Sequence, residues 1–101
     1  MALSVDLLIV SSEIESSVED DWNHWYDTVH LPEIASCPGI RSAQRYVATD
    51  VGGSRHYVAI YALEGPETIE SLEFSQRRGW GPYADKVKFQ TRLFKQIRQV
   101  A

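Results

Sequence analysis

IRSAQRYVATDVGGSRHYVAIYAL, residues 40–63, holds two extended stretches on either side of one turn. His56 to Leu63 is built almost wholly from aromatic, β-branched and small apolar residues, the composition of a strand. Ile40 to Ala48 reads as its partner, and Asp50-Val51-Gly52-Gly53 supplies the turn chemistry between them. A connection this short joins antiparallel neighbours, so the segment is a hairpin. On the second strand Tyr57, Ala59, Tyr61 and Leu63 share one face, and His56, Val58 and Ile60 share the other.

On the N-terminal side, Leu3 to Val10 is apolar and partly alternating, as a first strand should be, and Ser11 to Ser17 reads as a polar loop. Ser17 can cap a helix whose first turn carries Glu19, Asp20 and Asp21, acids that suit the positive end of the helix dipole. Pro32 disfavours helical geometry at Leu31, which places the end of that helix near His30 or Leu31. Cys37-Pro38-Gly39 is a turn. On the C-terminal side, Gly65-Pro66 opens a second helix that fades near Arg78, with Arg77-Arg78 as a solvated helix end. Gly79-Trp80-Gly81-Pro82 is irregular, either a flap over a pocket mouth or a tight connector with Trp80 packed. Val87 to Val100 alternates as a long last strand. The order β-α-β-β-α-β predicts one ferredoxin-like α+β domain over residues 1–101: an antiparallel four-stranded sheet with two helices on one face. Such a sheet leaves its other face open, which predicts a homodimer.

Composition narrows the partners. The chain has 101 residues and a net charge of -4, which argues against nucleic acid, because phosphate binding needs a basic face. No apolar run approaches the ~20 residues that cross a bilayer. The first ten residues carry Asp6 and lack a basic leader. With one cysteine, Cys37, no intrachain disulfide can form, and a cytoplasmic protein is expected.

WNHWYDTVHLPE, residues 22–33, carries the candidate chemistry. At ~100° per residue, Val18, Trp22, Trp25, Tyr26 and Val29 form one buried stripe. Asn23 and His30 flank Tyr26 at its edge, where side chains can line a cavity. His24 points elsewhere and cannot share a metal ion with His30, so no metal site is expected. For His30 the spacing allows two roles, a helix-end residue facing free carbonyls or a general acid/base.

Residues 22–46 resemble the EthD-like branch of the dimeric α+β barrel superfamily. Trp25-Tyr26, His30, Pro32, Pro38-Gly39 and Arg45-Tyr46 carry the resemblance in order and spacing. One departure stands out: Val29 occupies the place where the family often has a Glu that could tune the histidine. Asp27 could replace it only if the helical turn were loosened. The resemblance implies two protomers packed sheet to sheet, a cavity between sheet and helices, and chemistry without a metal or organic cofactor.

On this basis the sequence predicts a small cofactor-independent enzyme acting on an aromatic or hydrophobic carbonyl compound. His30 would be the acid/base. Tyr26 and Asn23 would bond the substrate oxygen, and Trp22, Tyr46, Tyr61 and Trp80 would form an apolar wall. Isomerase, dehydratase and decarboxylase chemistry all fit. The alternatives are a cofactor-free monooxygenase of polyketide-like aromatics, or a non-catalytic protein that holds a small molecule or haem through His30 or His56.

Overall fold

The computed structural model describes residues 5–101, so the part of the expected first strand that falls on Leu3 and Ser4 lies outside the described residues. Strands β1 (Asp6–Ile14), β2 (Ile40–Thr49), β3 (Arg55–Leu63) and β4 (Val87–Phe94) form a sheet in the order β2-β3-β1-β4. Every neighbouring pair is antiparallel. Helices α1 (Glu19–Trp25), α2 (Leu31–Ala35) and α3 (Leu72–Arg77) complete the ferredoxin-like layout. The core lies between helices and sheet, where Trp22, Tyr26, Tyr61 and Leu63 are the most deeply buried large side chains.

β1 runs past Val10 through the serines that read as loop. Ser11 and Ser12 are paired on both sides, with Val58 and Tyr57 of β3 and with Gln90 and Phe89 of β4. A central strand is held by its backbone ladder, which polar side chains do not interrupt. β4 is shorter than its alternation suggests. Its last pair is Phe94 with Leu7, one residue from the start of β1, so further residues have no partner strand. Beyond it the Gln96 side chain accepts a hydrogen bond from the Val5 amide at 3.1 Å.

The first helical segment corrects the sequence reading most. Ser17 is not its cap: Ser16–Val18 form a 3-10 turn, and the Ser17 hydroxyl bonds Glu15 instead. Nor does the helix stop before Pro32. Tyr26–His30 form a π turn, in which the Leu31 amide donates to the Tyr26 carbonyl, and α2 follows with Pro32 in its first turn. Widening the turn separates the proline ring from the preceding carbonyls that it would strike in a regular α-helix. The Thr28 hydroxyl takes up the His24 carbonyl at 2.7 Å.

The wider turn also resets which residues face inward. Trp22, Tyr26, His30 and Ile34 are all buried, at a spacing of four. A regular helix would drift by ~40° at each such step, and the π turn absorbs that drift. Val29, expected in the buried stripe, is 41% exposed, and His30 takes the inward place.

The second helical segment is likewise not continuous. A 3-10 turn over Pro66–Glu70 ends at Ser71, whose backbone is extended and whose hydroxyl accepts the Phe74 amide at 3.1 Å to start α3.

Candidate active site

Beneath the helices lies a cavity of about 150 Å³. Its roof is Tyr26, His30 and Ile34, and its floor is Leu8 and Val10 of β1 with Tyr61 of β3. Phe89 and Thr91 of β4 close one side, and Phe74, Arg78 and Trp80 stand at the other.

His30 is 7% exposed and held between rings. It stacks on Trp25 with centroids 4.9 Å apart and planes 8° apart, and meets the edge of Tyr26, also at 4.9 Å. Burial lowers its pKa below the ordinary 6.5, Glu33 opposes the shift and Arg45 adds to it. At neutral pH the ring is therefore an uncharged base. Asp27 does not stand in for the missing acid before His30, even though the turn is loosened: it pairs with Arg45 at 2.6 Å.

Tyr26 and Tyr61 share a hydrogen bond at 3.0 Å between their hydroxyls. One proton makes that bond, and the accepting hydroxyl keeps its own proton for another acceptor. Burial raises both pKa values, so both phenols stay protonated and act as donors, not bases.

Trp80 packs in the connector form, not as an open flap. It stacks on Trp22 at 6.2 Å and touches Phe89 at 5.1 Å. Gly81 has φ 53° and leaves no room for a side chain without shift, since a Cβ there would lie 3.1 Å from the Trp25 ring.

The remaining expected site residues do not line the cavity. Trp22 is fully buried behind it, and its indole N–H has no partner among the described residues. Asn23 instead bridges helix and sheet, donating to the Tyr57 hydroxyl at 3.0 Å and accepting from Arg45 at 2.8 Å. Tyr46 is 55% exposed on the far side of the sheet. The cause is a bulge between Ile40 and Ser42. Alternation from Ile40 would bring Tyr46 inward, but one extra residue reverses the parity and brings Ala43 and Arg45 inward instead.

Arg45 was not among the expected site residues. Its guanidinium lies 4.2 Å from the Tyr26 ring centroid and 5.0 Å from that of Trp22. Opposite it in β3 is Ala59, small enough to leave it space. Only the Arg45-Tyr46 motif hinted at it. His56 lies on the open face between Glu13 at 2.9 Å and Asp50 at 2.8 Å, with both ring nitrogens engaged. Neither histidine suits haem: His56 has no free nitrogen, and the cavity beside His30 is far smaller than a porphyrin.

Fold and cavity together define a ferredoxin-like domain with an aromatic-walled pocket between sheet and helices. The chain belongs to the family described as Domain of unknown function (DUF4286), whose model matches residues 6–100. No curated protein matches it. Among solved structures it is similar to a candidate antibiotic biosynthesis monooxygenase from Bacillus cereus, at 12% identity and a TM-score of 0.71, over 98% of this chain and 97% of that one. A dimeric ferredoxin-like protein from an uncultured marine organism matches at 12% identity and a TM-score of 0.66, over 97% of this chain and 100% of that one. An ethyl tert-butyl ether D (EthD) family protein from Bacillus halodurans matches at 9% identity and a TM-score of 0.66, over 86% of this chain and 96% of that one. The EthD-like resemblance of the sequence thus has its counterpart in the fold. At these identities the likeness is one of fold alone.

Proposed function

We propose that the protein is a small acid/base enzyme acting on an aromatic or hydrophobic carbonyl compound without a cofactor. The observation that carries this reading is an uncharged, buried His30 facing the same cavity as the Tyr26–Tyr61 hydroxyl pair. His30 takes a proton from the carbon beside the carbonyl, and the electron pair moves onto the oxygen. The spare phenolic O–H donates to that oxygen as charge develops. Return of that proton from His30 to a different carbon gives an isomer, and its delivery to a β-hydroxyl, which leaves as water, gives a dehydration. His30→Gln removes the proton transfer while keeping size and hydrogen bonding. Turnover of a responsive carbonyl substrate should fall by ~10²–10⁴-fold with little change in melting temperature. Unchanged turnover would end the assignment.

A second reading, a cofactor-free monooxygenase, is favoured by the descriptions of several neighbours, among them a candidate antibiotic biosynthesis monooxygenase from Bordetella bronchiseptica. Here the deprotonated substrate would react with oxygen in the same cavity, one oxygen atom entering the product and the other leaving as water with two hydrogens of the substrate. Oxygen consumption matched to product formation separates the two.

Residues Leu7, Ile9, Val58 and Ile60 are only half-buried on the open sheet face, beside exposed Tyr46 and Phe94. This supports a homodimer packed through that face, as does the dimeric neighbour. Sedimentation should give a dimer for the parent chain and a folded monomer for Ile60→Asp, and a parent chain that sediments as a monomer at micromolar concentration would refute it. Among the described residues no helix is long and apolar enough to cross a membrane. The single buried thiol of Cys37 suits the reducing cytoplasm, where we place the protein.

A further inference from the structure

Arg77-Arg78 reads from sequence as a solvated helix end, yet the two arginines part company in the structure. Arg77 closes α3 and turns to the Cys37 sulfur at 3.6 Å. Arg78 leaves the helix with an extended backbone (φ -72°, ψ 160°), anchored by its amide to the Phe74 carbonyl at 2.9 Å. Gly79 follows at φ 113° and turns the chain toward Trp80. This geometry sets Arg78 on the wall of the cavity, with its guanidinium 5.7 Å from the centroid of the Phe74 ring, itself a cavity residue. Among the described residues Arg78 has no carboxylate within ion-pair distance, whereas Arg45 and Arg55 each have one. A protein of net charge -4 therefore presents a cation without a carboxylate partner at the rim of a mostly apolar cavity whose other polar groups are His30, Thr91 and the Tyr26–Tyr61 pair.

We infer that the cavity takes a one-ring organic acid, with its ring among Leu8, Val10 and Trp80 and its carboxylate on Arg78 at the rim. The inference deepens the proposed acid/base reading and rests on it for the ligand's second oxygen, the one that meets the Tyr26–Tyr61 pair. Size supports one ring. A cavity of about 150 Å³ matches the volume of an apolar cavity known to hold benzene. A fused polycyclic ligand would have to displace Trp80. Charge supports the acid. A planar guanidinium with free donors bonds a carboxylate through two parallel N–H groups.

The test compares 4-hydroxybenzoate with its neutral isostere 4-hydroxybenzamide by calorimetric titration of the full chain, with tryptophan fluorescence as a second readout. The benzoate should bind at least tenfold more tightly than the amide. Arg78→Gln should abolish that preference, and Arg78→Lys should retain part of it. Because Arg78 is exposed, both variants should melt with the parent chain. Equal affinity for acid and amide, a preference that survives Arg78→Gln, or no binding of either probe would overturn the inference. His30→Gln serves as the control for the underlying reading. If it leaves turnover intact while the Arg78-dependent preference persists, the acid/base mechanism falls and the anion site stands. If turnover collapses while acid and amide bind alike, the reverse holds.

Discussion

His30 and His56 lie on opposite sides of the sheet, and the two sides treat a histidine in opposite ways. On the covered side His30 projects from the π turn among aromatic rings, and desolvation pushes its pKa down. On the open side His56, 42% exposed, lies between Asp50 and Glu13, and the bond to Asp50 with the nearby negative charge pushes its pKa up. Histidine content alone predicts nothing about either. A ring surrounded by other rings is held toward its neutral form and can accept a proton, whereas a ring with a carboxylate on each nitrogen is held toward its cation. The tyrosines divide similarly. Tyr61 shares its hydroxyl with Tyr26 in the cavity, whereas Tyr46 faces away from it.

The largest expected effect sharpens the contrast in packing. Trp22 is 0% exposed and contacts Tyr26, Tyr57 and Trp80. Trp22→Ala should cost ~3–5 kcal/mol in chemical denaturation, the range for a large aromatic lost from a core. Ile60→Ala on the open face, measured in the monomeric state, should cost only about 1 kcal/mol. Equal costs would mean that the open face is as tightly packed as the covered one, and the comparison would fail.

The same contrast explains how much could be read from the sequence. The hairpin over residues 40–63 and the overall βαββαβ order were legible because they depend on alternation and turn residues, both local signals. That Tyr57, Ala59, Tyr61 and Leu63 share one face was legible for the same reason, but which face the helices cover was not. Two irregularities of one residue each were not. The bulge at Arg41 moved Tyr46 out and Arg45 in, and the π turn moved Val29 out and His30 in. Neither leaves a periodic trace, because each exists to break a period. The sole hint of the π turn was Pro32, which reads more simply as a helix end. The length of β4 was also hidden, since it depends on where β1 begins, far away in sequence.

The smallest expected effect is in pH dependence, and it tests the comparison most directly. For His30 the folded pKa lies below the unfolded value of ~6.5. As pH falls through ~6.5 the unfolded chain takes up a proton that the folded chain refuses, so this residue lowers stability toward acid until its folded pKa is passed. For His56 the folded pKa lies above the unfolded one. Its stabilising contribution is complete below ~6.5 and is lost as pH rises through the folded pKa. His30→Gln should therefore flatten the profile below ~6.5, and His56→Gln the profile just above ~6.5. Proton-detected titration of the two imidazoles by nuclear magnetic resonance gives the cleaner reading, since His24 can be removed by substitution. The His30 midpoint should fall below 6.5 and the His56 midpoint above it. Asp50→Asn should bring His56 back toward 6.5 while leaving His30 in place, because Asp50 bonds only the former. Coincident midpoints, or a His30 that titrates above His56, would show that burial and charge do not separate the two faces, and the case for His30 as the base would go with them.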